Sequence, residues 1–98
     1  MIKNLTIEDI KKTVAEVAPE YDLTKVTLFG SRATGKNKID SDVDLLVEFT
    51  TEAVSLLKII SLKHRLEDIW NLGVDVIHGP LQADDILEIE KEIEIYAA

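Results

Sequence analysis

The chain contains no cysteine, and this absence excludes several kinds of chemistry at once. Disulfide frameworks, thiolate nucleophiles and cysteine-based zinc or iron–sulfur sites are all ruled out. Long apolar runs are also missing, because no stretch approaches the roughly 20 residues that a membrane-spanning helix needs. The first residues lack the basic and apolar regions of a signal peptide. We therefore expect a cytoplasmic protein that does not bind a membrane.

Positive charge is scarce, since 11 Lys and Arg residues stand against 19 Asp and Glu residues and give a formal net charge of -8. Such a protein repels the phosphate backbone of a long nucleic acid, so stable nucleic-acid binding is not expected. A nucleotide can still bind where divalent cations invert the field around clustered carboxylates.

The length of 98 residues, 46% of them hydrophobic, suffices for one core. A chain of this size buries about two-thirds of its unfolded surface. Because the sequence shows no repeat, low-complexity segment or linker, we predict a single domain over residues 1–98.

Hydrophobic periodicity predicts alternating helices and strands. Helices are expected at Thr6 to Ala18, where Pro19 ends the helix, at Ser31 to Lys36 as one turn, at Glu52 to Trp70 and at Asp84 to Glu92. Strands are expected at Val26 to Phe29, Asp42 to Phe49, Val74 to His78 and, as an edge strand that a continued helix would fit too, Ile93 to Tyr96. The fold class is therefore α/β (α+β), with helices flanking a small mixed β-sheet.

The second strand carries the first candidate site. Its alternation puts Val43 and Leu45 on one face and Asp42 and Asp44 on the other. The two carboxylates, about 7 Å apart at their Cα atoms, can converge on two Mg²⁺ ions roughly 4 Å apart. Mg²⁺ completes its coordination with water and substrate phosphates, which ATP would supply. The alternative is a pair of solvated acids, and Glu48 on the same face is a weaker candidate for a fourth ligand.

A glycine–serine turn precedes the acidic pair by ten residues. Gly30 removes the Cβ where a backbone approaches a phosphate, and Ser31 offers a hydroxyl and neighbouring N–H donors. Arg32 either neutralises phosphate charge or is a solvated side chain. Ten residues suffice to bring this turn opposite the acids across one cleft.

Asp75 lies within an otherwise apolar strand, where a structural role favours an aliphatic residue. If this strand lies beside the strand of Asp42, the Asp75 carboxylate can bind the second cation and deprotonate an attacking hydroxyl. The alternative is a buried acid bonded to backbone donors. His64 and His78 have no partner at metal-ligand spacing.

Gly30-Ser31, ten residues, Asp42-x-Asp44 and a later Asp75 together resemble the DNA polymerase beta-type nucleotidyltransferase superfamily. More narrowly, nearly the whole chain is similar to the minimal nucleotidyltransferases, the MntA-like antitoxins that pair with HEPN-domain toxins. The resemblance implies the nucleotidyltransferase fold, with the three aspartates as catalytic Mg²⁺ ligands and the glycine–serine turn holding the triphosphate. It also implies transfer of AMP from ATP to a tyrosine hydroxyl of the HEPN ribonuclease.

Two other functions stay open from sequence. One is a non-catalytic module that binds a nucleotide or neutralises a partner by contact. The other is a small-molecule nucleotidyltransferase, for which the chain is too short without a helper subunit. Only 23 residues follow Asp75 and they cannot form a separate acceptor-binding domain, so we expect the acceptor to come on a partner protein. The sequence also leaves base preference, acceptor identity and oligomeric state open, a homo-oligomer included.

Overall fold

A computed structural model describes residues 4–51, 53–79 and 91–98 of the chain. Within these ranges the elements follow one another as α1 (Ile7–Tyr21), β1 (Leu23–Phe29), α2 (Ser31–Thr34), β2 (Val43–Phe49), α3 (Leu56–Trp70), β3 (Val74–His78) and β4 (Ile93–Ala97). None of the helices described has the length and apolar character needed to cross a membrane.

The four strands form one mixed sheet in the order β3-β2-β1-β4. β1 is antiparallel to both β2 and β4, whereas β2 and β3 are parallel. The crossover through α3 makes the parallel pair possible, since parallel neighbours need a long connection. As a result, β2 and β3 begin at the end of the sheet where β1 ends, and the predicted mixed sheet with flanking helices is confirmed.

One face of the sheet forms the core, as the alternation in β2 predicted. Val43 and Leu45 are fully buried there, beneath α1 and α3. The helices contribute a matching set of buried aliphatic side chains: Ile10, Val14 and Val17 from α1, and Leu62 and Leu66 from α3. The opposite face carries Asp44 and Glu48, both partly exposed, so the polar side chains of β2 point away from the helices.

The first helix begins as predicted but does not end at Pro19. Thr6 is the N-cap, and its side chain and that of Asp9 bond to each other's backbone N–H at 3.0 Å, forming a capping box. The helix continues to Tyr21, with Pro19 inside its last turn. The N–H of Asp22 donates to Ala18 O and closes this last turn, and the Tyr21 hydroxyl lies 3.0 Å from the Ser61 hydroxyl of α3.

The third helix begins at Leu56 and not at Glu52, since the hydroxyl of Ser55 accepts a hydrogen bond from Lys58 N at 3.1 Å and caps it. Val54 therefore precedes the helix. Leu57, in the first turn of the helix, is 78% exposed.

Other boundaries also differ from the sequence prediction. β1 begins at Leu23, three residues earlier than expected, and α2 ends at Thr34. Most of the predicted helix at residues 84–92 lies outside the described residues, and Glu92 is not helical. β4 occupies the predicted edge position, which confirms the strand over the alternative helix.

Replacing a buried leucine of α3 should destabilise the protein far more than the same replacement at an exposed position. Leu62 is fully buried, so Leu62→Ala should lower the free energy of unfolding by about 2–5 kcal/mol. The matched control Leu57→Ala should change it by about 0.5 kcal/mol or less. Urea unfolding measures both, and equal losses would contradict this assignment of the core.

Candidate active site

Asp44 and Asp75 lie side by side on the open face of the sheet. They are register partners in the parallel pair of β2 and β3, and the two side chains are close enough to share a hydrogen bond. Asp44 is half-buried and Asp75 is exposed. The structure therefore confirms the predicted neighbourhood of these strands and joins two of the three predicted site acids.

The pKa of the Asp44 carboxyl group is raised from 3.8 to about 6. Burial is the largest cause, because it disfavours the charged form. The hydrogen bond with Asp75 and the negative charges of Asp75 and Asp42 raise it further. The free protein thus keeps carboxylates together that repel one another once they are ionised, and a bound cation would relieve this repulsion.

Asp42 is exposed and lies directly before β2, with the strand beginning one residue later than predicted. The N–H of the next residue, Val43, donates to Gly73 O at 2.9 Å and fixes the start of the strand. A Cβ atom at Gly73 would overlap Oδ1 of Asp42, so this glycine provides the space for the carboxylate. Sequence reasoning missed Gly73, because its contact with Asp42 depends on the parallel pairing of β2 and β3.

The glycine–serine turn meets the acids where β1 ends. Phe29 is the register partner of Asp44, and the next residue, Gly30, has φ +75° and ψ −157°, a conformation that only glycine adopts easily. A Cβ atom at Gly30 would overlap Oδ2 of Asp44. Ser31 then begins α2 and is half-buried. The turn and the acids therefore face each other, as the spacing predicted.

Arg32 differs from its predicted position, since it is only 5% exposed and its guanidinium binds backbone carbonyl groups. Nε and Nη2 donate to Ser41 O at 3.1 and 2.9 Å, Nη2 donates also to Ile39 O at 3.2 Å, and Nη1 donates to Leu5 O at 3.3 Å. Burial lowers the pKa of the guanidinium. The predicted contact of Arg32 with a phosphate does not fit this position. The bonds direct its side chain into the loop before Asp42 instead.

A charged pair on α3 holds the start of β3. Lys63 Nζ donates to Val74 O at 2.8 Å and to Glu67 Oε2 at 3.1 Å, and the same Glu67 oxygen accepts the N–H of Val74 at 3.2 Å. The bonds from Lys63 and from the Val74 N–H lower the pKa of Glu67. Because Asp75 follows Val74 directly, this pair fixes the backbone that presents the Asp75 carboxylate.

The donor set fits a divalent cation, although no complete cation cage is preformed. Within residues 4–51, 53–79 and 91–98, no three His, Asp or Glu side chains are arranged to hold a metal ion directly. Asp44 and Asp75 are instead turned towards each other through a shared hydrogen bond. Once that proton is lost, their oxygens and those of Asp42 are the hard ligands that Mg²⁺ prefers.

The other candidate side chains lie away from this pair. Glu48 shares the open face but is paired in register with Lys25, towards the far end of β2. His78 packs its ring edge-on against Phe49, with 5.4 Å between the ring centroids, and His64 is exposed on α3. A cleft of about 680 Å³ lies between α1 and the end of α3, and none of the predicted site residues lines it.

Replacing Asp44 with asparagine should stabilise the metal-free protein at high pH and not at low pH. Asp44 ionises near pH 6 when folded and near pH 3.8 when unfolded, so its contribution to stability falls as pH rises through this window. Solvent screening limits the effect at a half-buried site. We expect Asp44→Asn to gain about 1 kcal/mol at pH 8, roughly 4–8 °C in a domain of this size, and little at pH 4.

Thermal unfolding with a chelator at pH 4, 5, 6 and 8 measures this difference. Asp68→Asn, which removes an exposed acid of α3, is the matched control and should shift the midpoint equally at each pH. A gain from Asp44→Asn that is the same at pH 4 and pH 8 would contradict the raised pKa.

Comparison with known proteins finds relatives over most of the chain. Residues 8–96 match the family described as polymerase beta, nucleotidyltransferase. The protein adenylyltransferase MntA of Thermococcus cleftensis is 39% identical over 77 residues, which cover 74% of this chain and 77% of that protein.

Two crystal structures share the fold at lower sequence identity. A toxin–antitoxin structure with AMP-PNP has a TM-score of 0.74 and 15% identity, covering 90% of this chain and 73% of the other. A tri-AMPylated Shewanella oneidensis HEPN toxin in complex with MNT antitoxin has a TM-score of 0.70 and 12% identity, covering 95% of this chain and 74% of the other. The family match extends over almost the whole chain and confirms the resemblance seen in the motif: the chain belongs to the polymerase beta nucleotidyltransferase family.

Proposed function

We propose that this chain is a Mg²⁺-dependent protein adenylyltransferase that transfers AMP from ATP to a tyrosine hydroxyl of a HEPN toxin. The observation that carries the proposal is the pairing of Asp44 with Asp75 directly opposite the Gly30 turn. The adenylyltransferase name of the Thermococcus relative supports the reaction. The structure of an AMPylated HEPN toxin with its MNT antitoxin supports the acceptor.

Asp42, Asp44 and Asp75 are the residues that would hold two Mg²⁺ ions. When bound, the metal supplies charge neutralisation at the phosphates and a more acidic acceptor hydroxyl. Because the pKa of Asp44 is raised to about 6, a cation that binds below this pH must also displace the proton shared with Asp75.

The protein side chains then have separate tasks. The turn of Gly30 and Ser31 holds the β- and γ-phosphates through the Ser31 hydroxyl and backbone N–H groups. The missing Cβ of Gly30 leaves room for the Asp44 carboxylate beside them. The acceptor hydroxyl oxygen forms a bond to the α-phosphorus, the bond from that phosphorus to the α,β-bridging oxygen breaks, and pyrophosphate leaves. Asp75, the exposed member of the acidic pair, accepts the hydroxyl proton. No covalent enzyme intermediate is needed.

A partner protein must bring the acceptor in this proposal. The first turn of α3 exposes Leu56 and Leu57 at 69% and 78% of their surface, the kind of apolar surface that a partner protein covers. The net charge of -8 would also speed encounter with a basic, RNA-cutting partner.

Label transfer tests the reaction directly. The protein is incubated with Mg²⁺, the HEPN protein and ATP labelled either at the α- or at the γ-phosphate. We expect α-label on a tyrosine of the partner and no γ-label, and a Tyr→Phe acceptor should stay unlabelled. Asp44→Asn and Asp75→Asn should each lower the transfer rate at least about 100-fold, because each removes a metal ligand.

The surface variant Asp68→Asn is the control and should transfer AMP at the wild-type rate. A stable complex that never acquires label would contradict the proposal and favour the non-catalytic module. Label found only on low-mass compounds would favour a small-molecule nucleotidyltransferase.

Two glycine variants should separate activity from stability. Gly73→Ala should lower the rate about 10- to 100-fold by displacing Asp42, with little change in unfolding midpoint. Gly35→Ala should instead cost about 1–2 kcal/mol, because its φ is +79°, and it should keep the wild-type rate because an added Cβ meets open space there. Equal rates for both variants would contradict the role of Gly73.

A further inference from the structure

Arg32 has unusual surroundings for a charged side chain. It is 5% exposed, and every hydrogen-bond acceptor it contacts in the described part of the chain is a backbone carbonyl oxygen. Burying a guanidinium without a carboxylate partner is expensive, so the bonds to the carbonyl oxygens must offset this cost. Arginine at this position is therefore tied to the backbone segments that carry those carbonyl groups.

The guanidinium fixes the shape of the loop that leads to Asp42. Two of its nitrogens bind Ser41 O, and one of them also binds Ile39 O. Inside the loop, Ser41 N donates to Lys38 O at 3.2 Å, and Lys38 N donates to the Ser41 hydroxyl at 2.8 Å. The loop is thus closed by its own turn and bound to Arg32 through its last carbonyl groups.

The position of Arg32 in the chain gives this contact a functional meaning. Arg32 follows Ser31 of the glycine–serine turn, and Ser41 precedes Asp42, the first of the three acids. On the other side of Asp42, Val43 N is bound to Gly73 O. The backbone is therefore fixed on both sides of Asp42, at Ser41 by Arg32 and at Val43 by Gly73. These bonds limit where the exposed Asp42 carboxylate can lie.

We infer that Arg32 is a positioning residue that places Asp42 relative to the Gly30-Ser31 turn and so sets the affinity of the site for divalent cations. This inference rests on the proposed function. Arg32 acts through Ser41 and touches neither phosphate nor metal. Groups that orient metal ligands commonly change metal affinity or activity 10- to 100-fold when they are removed.

The test measures Mn²⁺ binding by electron paramagnetic resonance in the full-length protein with a non-hydrolysable ATP analogue. Arg32→Lys keeps the charge but loses the planar fork, so we expect Mn²⁺ affinity to fall about 10- to 100-fold. Hydrogen exchange should become faster at residues 36–42 and stay unchanged in β1 and β2. Arg65→Lys, which alters an exposed arginine 3.4 Å from Glu20, is the control and should bind Mn²⁺ as the wild type does.

A second variant covers the case in which Arg32→Lys does not fold. Ser41→Ala removes the bond from Lys38 N and leaves the guanidinium in place, so it should loosen the same loop and lower Mn²⁺ affinity by a smaller factor.

The outcomes separate the two proposals. Wild-type affinity in a folded Arg32→Lys, or in Ser41→Ala if only that variant folds, overturns the positioning role alone. A wild-type protein that binds no Mn²⁺ removes the proposed function and this role with it. A selective loss of affinity with faster exchange confined to the loop supports the inference.

Discussion

The alignment of Asp44 with Asp75 across two parallel strands is the constraint on which the site depends. The crossover through α3 returns the chain so that β3 starts at the same end of the sheet as β2, and Gly30 leaves room beside Asp44. The Lys63–Glu67 pair then fixes the residue before Asp75. The protein keeps these two carboxyl groups in contact. Such an arrangement lowers stability and is common at sites that bind a charged ligand.

Much of this arrangement can be predicted because it depends on short-range patterns. The alternation in β2 separates the core face from the acidic face, and the structure buries Val43 and Leu45 as the pattern requires. A helix-length connection between β2 and β3 favours a parallel pair. Asp75 has apolar neighbours in its strand, which indicates that this acid has a functional and not a packing role. These inferences need only the period of the strands and the length of a connection.

The features that sequence reasoning missed depend on contacts between distant parts of the chain. An arginine beside a glycine–serine turn favours a phosphate contact, but the carbonyl groups of residues 5, 39 and 41 accept its hydrogen bonds instead. A glycine such as Gly73 after a helix is usually interpreted as part of the helix end, so the sequence does not reveal its contact with Asp42. The predicted helix boundary at Pro19 is also wrong: the helix continues to Tyr21, and its end carries the bond from Asp22 N–H to Ala18 O and the contact of Tyr21 with Ser61 of α3.

The register between β2 and β3 also links the site to the hydrophobic core. Side chains alternate along a strand, so a shift of β3 by a single residue would turn Asp75 towards the helices and bring Val74 and Val76 into solvent. A carboxylate without a partner in that core would cost several kcal/mol, a large share of the stability of a small domain. Misaligned chains would therefore unfold and not persist as inactive copies. The valines of β3 therefore stabilise the core and at the same time exclude a one-residue misalignment of the acids.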